Sequence, residues 1–118
     1  MDAEAVKELF AAFGPVSVRR MFGGQGIFVD GLMIALIAAG VIYLKADAET
    51  IAAFESEGLG PFSYPTRGGE HTLGSYWRMP DRLYDDAEEL ARWAHAAHAA
   101  ALRSSLRKRK PSRPPRRT

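Results

Sequence analysis

Apolar residues at Val6, Leu9, Phe10 and Phe13 follow the i, i+3, i+4, i+7 spacing of one helix face. This predicts an amphipathic helix from Asp2 to Phe13, stopped by Gly14-Pro15. The period then changes. Val16 to Phe22 reads as a strand with β-branched alternation, and Gly26 to Val29 as a second strand after a glycine bend. Asp30-Gly31 is a two-residue hairpin signal, because both central positions of a type I′ turn need positive φ. It pairs Gly26–Val29 with Leu32–Ile37, and Ala39-Gly40 turns the chain again into Val41–Lys45. Leu32 to Ile37 is apolar on both alternating faces, which predicts a central strand covered on both sides, the second by a helix or a second subunit.

Asp47 is the expected N-cap of a helix from Ala48 to Glu57, with Ile51 and Phe54 on its buried stripe and Gly58 as its stop. Phe62–Tyr64 and Thr72–Arg78 read as two further strands around a loop from Pro65 to His71, with Pro80 ending the second. Asp86-Ala87-Glu88-Glu89 starts the last helix with the acceptor and carboxylate spacing of a capping box. Leu90, Trp93, Ala94, Ala97 and Ala101 supply its apolar face. The order α-β-β-β-β-α-β-β-α predicts an α+β fold, two-layered, with a largely antiparallel sheet and flanking helices.

Charge divides the 118 residues into two parts. Residues 1–102 hold 8 Lys+Arg against 14 Asp+Glu, a formal −6, whereas residues 103–118 hold eight cations and no acid, a formal +8. The expected organisation is a domain over 1–102 and a basic, disordered tail over 103–118, whose Arg, Lys, Ser and Pro cannot bury enough surface to order it. Arg103, Arg107, Lys108, Arg109, Lys110, Arg113, Arg116 and Arg117 are the candidate phosphate contacts, and non-specific nucleic-acid affinity is assigned to them alone. The net charge of +2 therefore says nothing about the domain itself. No apolar run reaches the ~20 residues of a membrane-spanning helix. Met1-Asp2-Ala3-Glu4 lacks the basic and apolar regions of a secretory signal. A cytoplasmic protein without a membrane partner is expected. The absence of cysteine excludes disulfides and thiolate chemistry.

The candidate site is Arg19-Arg20-Met21-Phe22-Gly23-Gly24-Gln25-Gly26. Two guanidinium forks beside glycines suit an anion or a carboxylate-bearing partner, with Gly23 and Gly24 shaping the loop. Adjacent strand residues point to opposite faces, so the two arginines are expected to differ in role. Arg20 shares the parity of Val16 and Val18 and is the expected inward residue, held by a carboxylate from Glu8, Asp47 or the first turn of the last helix. The glycine run fails both nucleotide fingerprints, having no helix and no Lys-Ser/Thr after it. His95 and His98 stand three apart on the last helix, but no third metal ligand accompanies them, and packing is the simpler reading. Serines lie in no nucleophile motif, and the carboxylate pairs suit helix capping. No catalytic residue, metal or cofactor is expected.

The sequence resembles the N-terminal domain of the TfoX/Sxy family of bacterial competence regulators. The resemblance runs in order through Arg19 to Gly24, Asp30-Gly31 with its apolar strand, Val41 to Lys45, Phe54 and Gly58 to Phe62. It continues through Ser75-Tyr76-Trp77-Arg78-Met79-Pro80 to the helix holding Leu90 and Trp93, covering roughly residues 3–102. It implies a compact α+β domain with an antiparallel sheet and, for the best-known members, activation of competence genes alongside the cyclic-AMP receptor protein. It implies no catalytic residues. Where those regulators have a C-terminal helical domain, a basic tail is expected here. The expected function is a non-enzymatic regulator or adaptor that binds a protein partner, such as the transcription machinery or another regulator, and touches nucleic acid through its tail. Two alternatives stay open: an interaction module without nucleic-acid contact, homodimerisation included, and a small-ligand binder or enzyme.

Overall fold

In the computed structural model, which describes residues 1–21 and 23–109, the chain forms a six-stranded antiparallel sheet with helices packed against it. Helix α1 (Ala3–Leu9) is capped by Asp2, whose Oδ1 accepts the Ala5 N–H at 2.7 Å. Strands β1 (Ser17–Met21), β2 (Gly24–Val29), β3 (Leu32–Ala38) and β4 (Val41–Lys45) form a meander. Its β2–β3 and β3–β4 turns are both left-handed, with φ of 52° and 79° at Asp30 and Gly31 and 51° and 77° at Ala39 and Gly40. Those angles match the twist of the strands they join, as a type I′ hairpin requires.

Helix α2 is shorter than the sequence pattern suggests, Ile51–Glu55, because Asp47 to Thr50 form a preceding turn. There the Glu49 N–H donates to Asp47 Oδ1 at 3.0 Å, and the Thr50 hydroxyl accepts the Asp47 N–H at 3.0 Å. Strands β5 (Pro61–Thr66) and β6 (Gly69–Arg78) form a long hairpin. The expected loop from Pro65 to His71 is therefore mostly ladder, turning only at Arg67-Gly68. Cross-strand contacts such as Ser63 Oγ with Thr72 Oγ1 at 3.0 Å hold it together. A 3₁₀ turn (Asp81–Asp85) leads into α3 (Ala87–Arg109). Asp86 caps α3 through the Glu89 N–H at 3.1 Å, whereas the Glu89 carboxylate turns to Arg92 and to Trp93 Nε1 instead of completing the capping box.

The strand order is β1-β2-β3-β4-β6-β5. Val6 and Phe10 of α1, Phe54 of α2, and Leu90, Ala94, Ala97 and Ala101 of α3 join Ile27, Ile37, Ile42 and Leu44 in one core. A register shift between Ile27 and Phe28 lets both Ile34 and Ala35, consecutive in β3, sit in that core with no exposure. Such a bulge places two residues of one strand opposite one of its partner. The other face of β3 differs from expectation. Met33 and Leu36 stay outside the core and half-buried, because the helices of the described residues all pack on the opposite face.

A second correction concerns residue 103. The helix does not end where the composition changes, and α3 carries Arg103, Arg107 and Lys108 onward to Arg109. Arg and Lys are good helix formers, so a basic composition alone does not stop a helix. Arg103 Nε reaches Asp47 Oδ2 at 2.7 Å and Nη2 reaches Oδ1 at 3.1 Å, with Glu49 at 3.3 Å. It belongs to the domain rather than to a free tail. Lys110, Arg113, Arg116 and Arg117 lie outside the described residues.

Candidate functional site

β1 is an edge strand, and its ladder with β2 places Arg19 opposite Gly26, Arg20 opposite Gln25 and Met21 opposite Gly24. Strand alternation sends the two arginines to opposite faces. Arg19 lies on the open face with its guanidinium carbon 4.2 Å from the centre of the Phe28 ring, a cation–π contact. Arg20 takes the face of Val18, as its parity requires, but it is exposed rather than inward. The core packs against Val16 and Val18 and ends there. Arg20 then borders a shallow hollow of about 510 Å³ with Met1, Met21, Gly23, Gly24 and Gln25. Of the carboxylates expected for it, Asp47 holds Arg103 and Glu89 of the last helix holds Arg92, and among the described residues neither these nor Glu8 pairs with Arg20.

Gly23 and Gly24 have separable roles. Gly23 has a φ of 78°. Gly24 sits where a Cβ would run into the carbonyl oxygen of Ile37, so a side chain there would push β2 off β3. Gly26, also on the open face, leaves space filled by its neighbours: an added Cβ would lie 2.7 Å from the Phe28 ring, 2.8 Å from Met21 Sδ and 2.9 Å from Met33 Sδ.

The open face holds a feature that sequence reasoning missed. Met21, Met33, Leu36, Phe62, Tyr64 and Leu73 line a trough of about 650 Å³ that crosses the sheet from the glycine end to the β5–β6 hairpin. Along one wall runs an aromatic row: Tyr43 to Phe62 at 4.8 Å, Phe62 to Tyr64 at 5.5 Å and Tyr64 to His71 at 5.3 Å. The two apolar faces of Leu32–Ile37 were the available signal, but periodicity does not say what covers a face. The six strands carry Arg19, Arg20, Lys45 and Arg78 against Glu70 as their one acid, so the acids of the domain are concentrated on helices and turns.

The chain matches the TfoX N-terminal domain over residues 8–101. It belongs to that family. No curated protein matches the chain. The match runs from the end of α1 through most of α3 and so includes both the β1 arginines and the open face.

In this TfoX N-terminal domain, a third group of residues gathers where α3 passes the ends of β3, β4 and β6. Lys45, Tyr76, Ser104, Ser105 and Lys108 border a hollow of about 450 Å³ there. Burial lowers the Lys45 pKa, and the neighbouring Lys108 and Arg107 lower it further. Burial also pushes the Tyr76 phenol up to about 12. Of the tail cations named from sequence, Arg107 and Lys108 are thus exposed on the helix and held close to Lys45, while Arg103 is consumed by its ion pair. The two histidines of α3 face Phe13, with ring centres 4.7 Å from it for His95 and 6.3 Å for His98. They pack on the turn that follows α1 and do not converge on a common point with a carboxylate. Among the described residues no cluster of three or more His, Asp or Glu is arranged to hold a metal.

Proposed function

We propose that the chain is a non-enzymatic regulatory or adaptor domain of the competence-regulator type. It docks a protein partner on the side where the open sheet face meets the β1 arginines, and its basic C-terminal segment adds sequence-independent affinity for nucleic acid. The observation that carries the reading is the one-sided packing of the sheet. Among the described residues no layer packs on this apolar, aromatic face rimmed by cations, and contiguous apolar surface of that kind marks an interaction site. Family membership supports a regulatory role in general terms.

The test is affinity capture from the native cell, with and without nuclease, comparing the wild-type chain with a folded Leu36→Glu variant. A protein captured in both nuclease conditions and lost from the variant is the expected result. Capture that vanishes with nuclease, or that is indifferent to Leu36→Glu, overturns the partner surface.

A further inference from the structure

The two edges of the sheet are unlike. β5 forms one edge and carries Pro61 and Pro65, which have no N–H to offer an incoming strand, a common way of blunting an edge. β1 forms the other edge and, among the described residues, pairs only with β2. In an antiparallel ladder alternate residues turn their N–H and C=O away from the partner, so Ser17–Met21 offers half of its backbone polar groups outward. No backbone hydrogen bond from outside the ladder reaches them among the described residues.

The same edge carries two adjacent cations. In an acid-rich domain, Arg78 meets Asp81, Arg82 meets Glu57, Arg92 meets Glu89 and Arg103 meets Asp47. Arg19 and Arg20 are exposed, and among the described residues neither is paired with a carboxylate. These charges disfavour a second copy at this edge. Antiparallel self-pairing along the full strand centres on Arg19 and sets it against its own counterpart, and like charges directly opposite are destabilising.

We propose that β1 is a docking strand for an extended acidic segment of a partner protein. The proposal rests on the adaptor reading above and gives the chemistry of that partner. Added antiparallel along Ser17–Met21, such a segment places one carboxylate beside Arg19 on the open face and the next beside Arg20 on the other face. The positions on either side of this doublet fall beside Met21 and Val18. The segment is therefore apolar-acidic-acidic-apolar, read in the extended conformation. Backbone pairing supplies affinity, and the two arginines supply selection and register. The charges that keep β1 from pairing with itself are the ones that choose its partner.

The probe is a labelled peptide of about ten residues with the central sequence leucine-glutamate-aspartate-valine, titrated into the full chain and followed by fluorescence anisotropy and amide hydrogen exchange. The expected result is saturable binding with slowed exchange in Ser17–Met21. Arg19→Glu and Arg20→Glu should each weaken it about tenfold with unchanged melting temperature, since both side chains are exposed. A peptide with two lysines at the centre should bind only the doubly reversed variant. Equal binding of acidic and basic peptides, protection confined to the trough, or a dissociation constant above roughly 1 mM overturns the docking strand. Displacement of the acidic peptide by a thymidine oligonucleotide with the same arginine dependence also overturns it, assigning the edge to nucleic acid. Partner capture lost in Leu36→Glu but retained when both arginines are reversed removes the docking strand and leaves the adaptor reading standing. Capture indifferent to both changes removes the two together.

Discussion

On β3, Ile34, Ala35 and Ile37 are sealed beneath the helices, while Met33 and Leu36 on the same strand are half-exposed on the other face. Both sets are apolar, so hydrophobicity does not separate them. Packing does: the covered face is filled by side chains from α1, α2 and α3. On the open face, a row of aromatics from Tyr43 to His71 shelters its own members in part. The lesson is that an apolar strand face identifies surface needing cover without saying whether the chain itself supplies it. Here the helices supply one side and a partner is proposed for the other.

Replacing a side chain on each face is the most direct way to break this comparison. Leu44→Ala removes a fully buried side chain and should cost about 2–5 kcal/mol in denaturant unfolding, whereas Leu36→Ala on the neighbouring strand should cost about 1 kcal/mol. Equal losses would mean that the open face is as tightly packed as the core. A finer test uses the two glycines of β2. Gly24→Ala meets the Ile37 carbonyl, which is backbone, and should destabilise by about 1–3 kcal/mol. Gly26→Ala meets the flexible ends of Met21 and Met33 and the Phe28 ring, and should cost less. Because it fills the open face beside Arg19, it should nonetheless weaken capture of the partner, measured at matched stability.

The ion pair under α3 gives a pH-dependent test on the covered side. The bidentate hydrogen bond from Arg103 holds the Asp47 carboxyl below its ordinary range. A folded-state pKa below the unfolded value contributes stability above the unfolded pKa, near pH 4, and that contribution is lost as pH falls toward the folded value. Melting temperature should fall on acidification through that range, and the fall should be smaller in Asp47→Asn, which lacks the titration. Arg92→Ala, which removes an exposed pair with Glu89, should leave the melt nearly unchanged at either pH.

The smallest expected effect on the fold comes from removing residues 110–118. Melting temperature should be unaltered, because Arg103 and its contacts remain. The dependence of log K on log salt for duplex binding should become shallower by about 3 to 4, since four cations are lost. Binding that persists with an unchanged slope would place the phosphate contacts on the domain.

The fold was legible where local chemistry forces a conformation. Asp30-Gly31 and Ala39-Gly40 announced their turns because few residues accept those angles, and the Val6-Leu9-Phe10-Phe13 stripe announced α1, although the helix stops at Leu9 and Phe10 to Phe13 form the turn after it instead of continuing to Phe13. The length of α3 was hidden, because the partner of Arg103 lies 56 residues earlier in the chain. Nor did the loop residues around Arg67 reveal a hairpin, since its stability comes from cross-strand pairs that become neighbours only after folding. At the candidate site, alternation placed Arg19 and Arg20 on opposite faces. It could not show that the core stops at Val18 and leaves Arg20 in the open. The trough was out of reach for the same reason, being assembled from five strands.

The continuation of α3 beyond its anchor at Asp47 also sets a distance. Six residues separate Arg103 from Arg109, about 9 Å along a helix, which is close to the reach of an electric field in physiological salt, about 8 Å. At that ionic strength the helix end feels the groups beside its anchor, Asp47 and Lys45, and is largely screened from the more distant acids of the domain. Diluting the salt lengthens the reach and couples the two, so attraction to phosphate grows while the domain begins to oppose it. A binding plot that bends over at low salt, instead of rising in a straight line, is the signature of a cationic arm that reaches one screening length past its anchor on an acidic body.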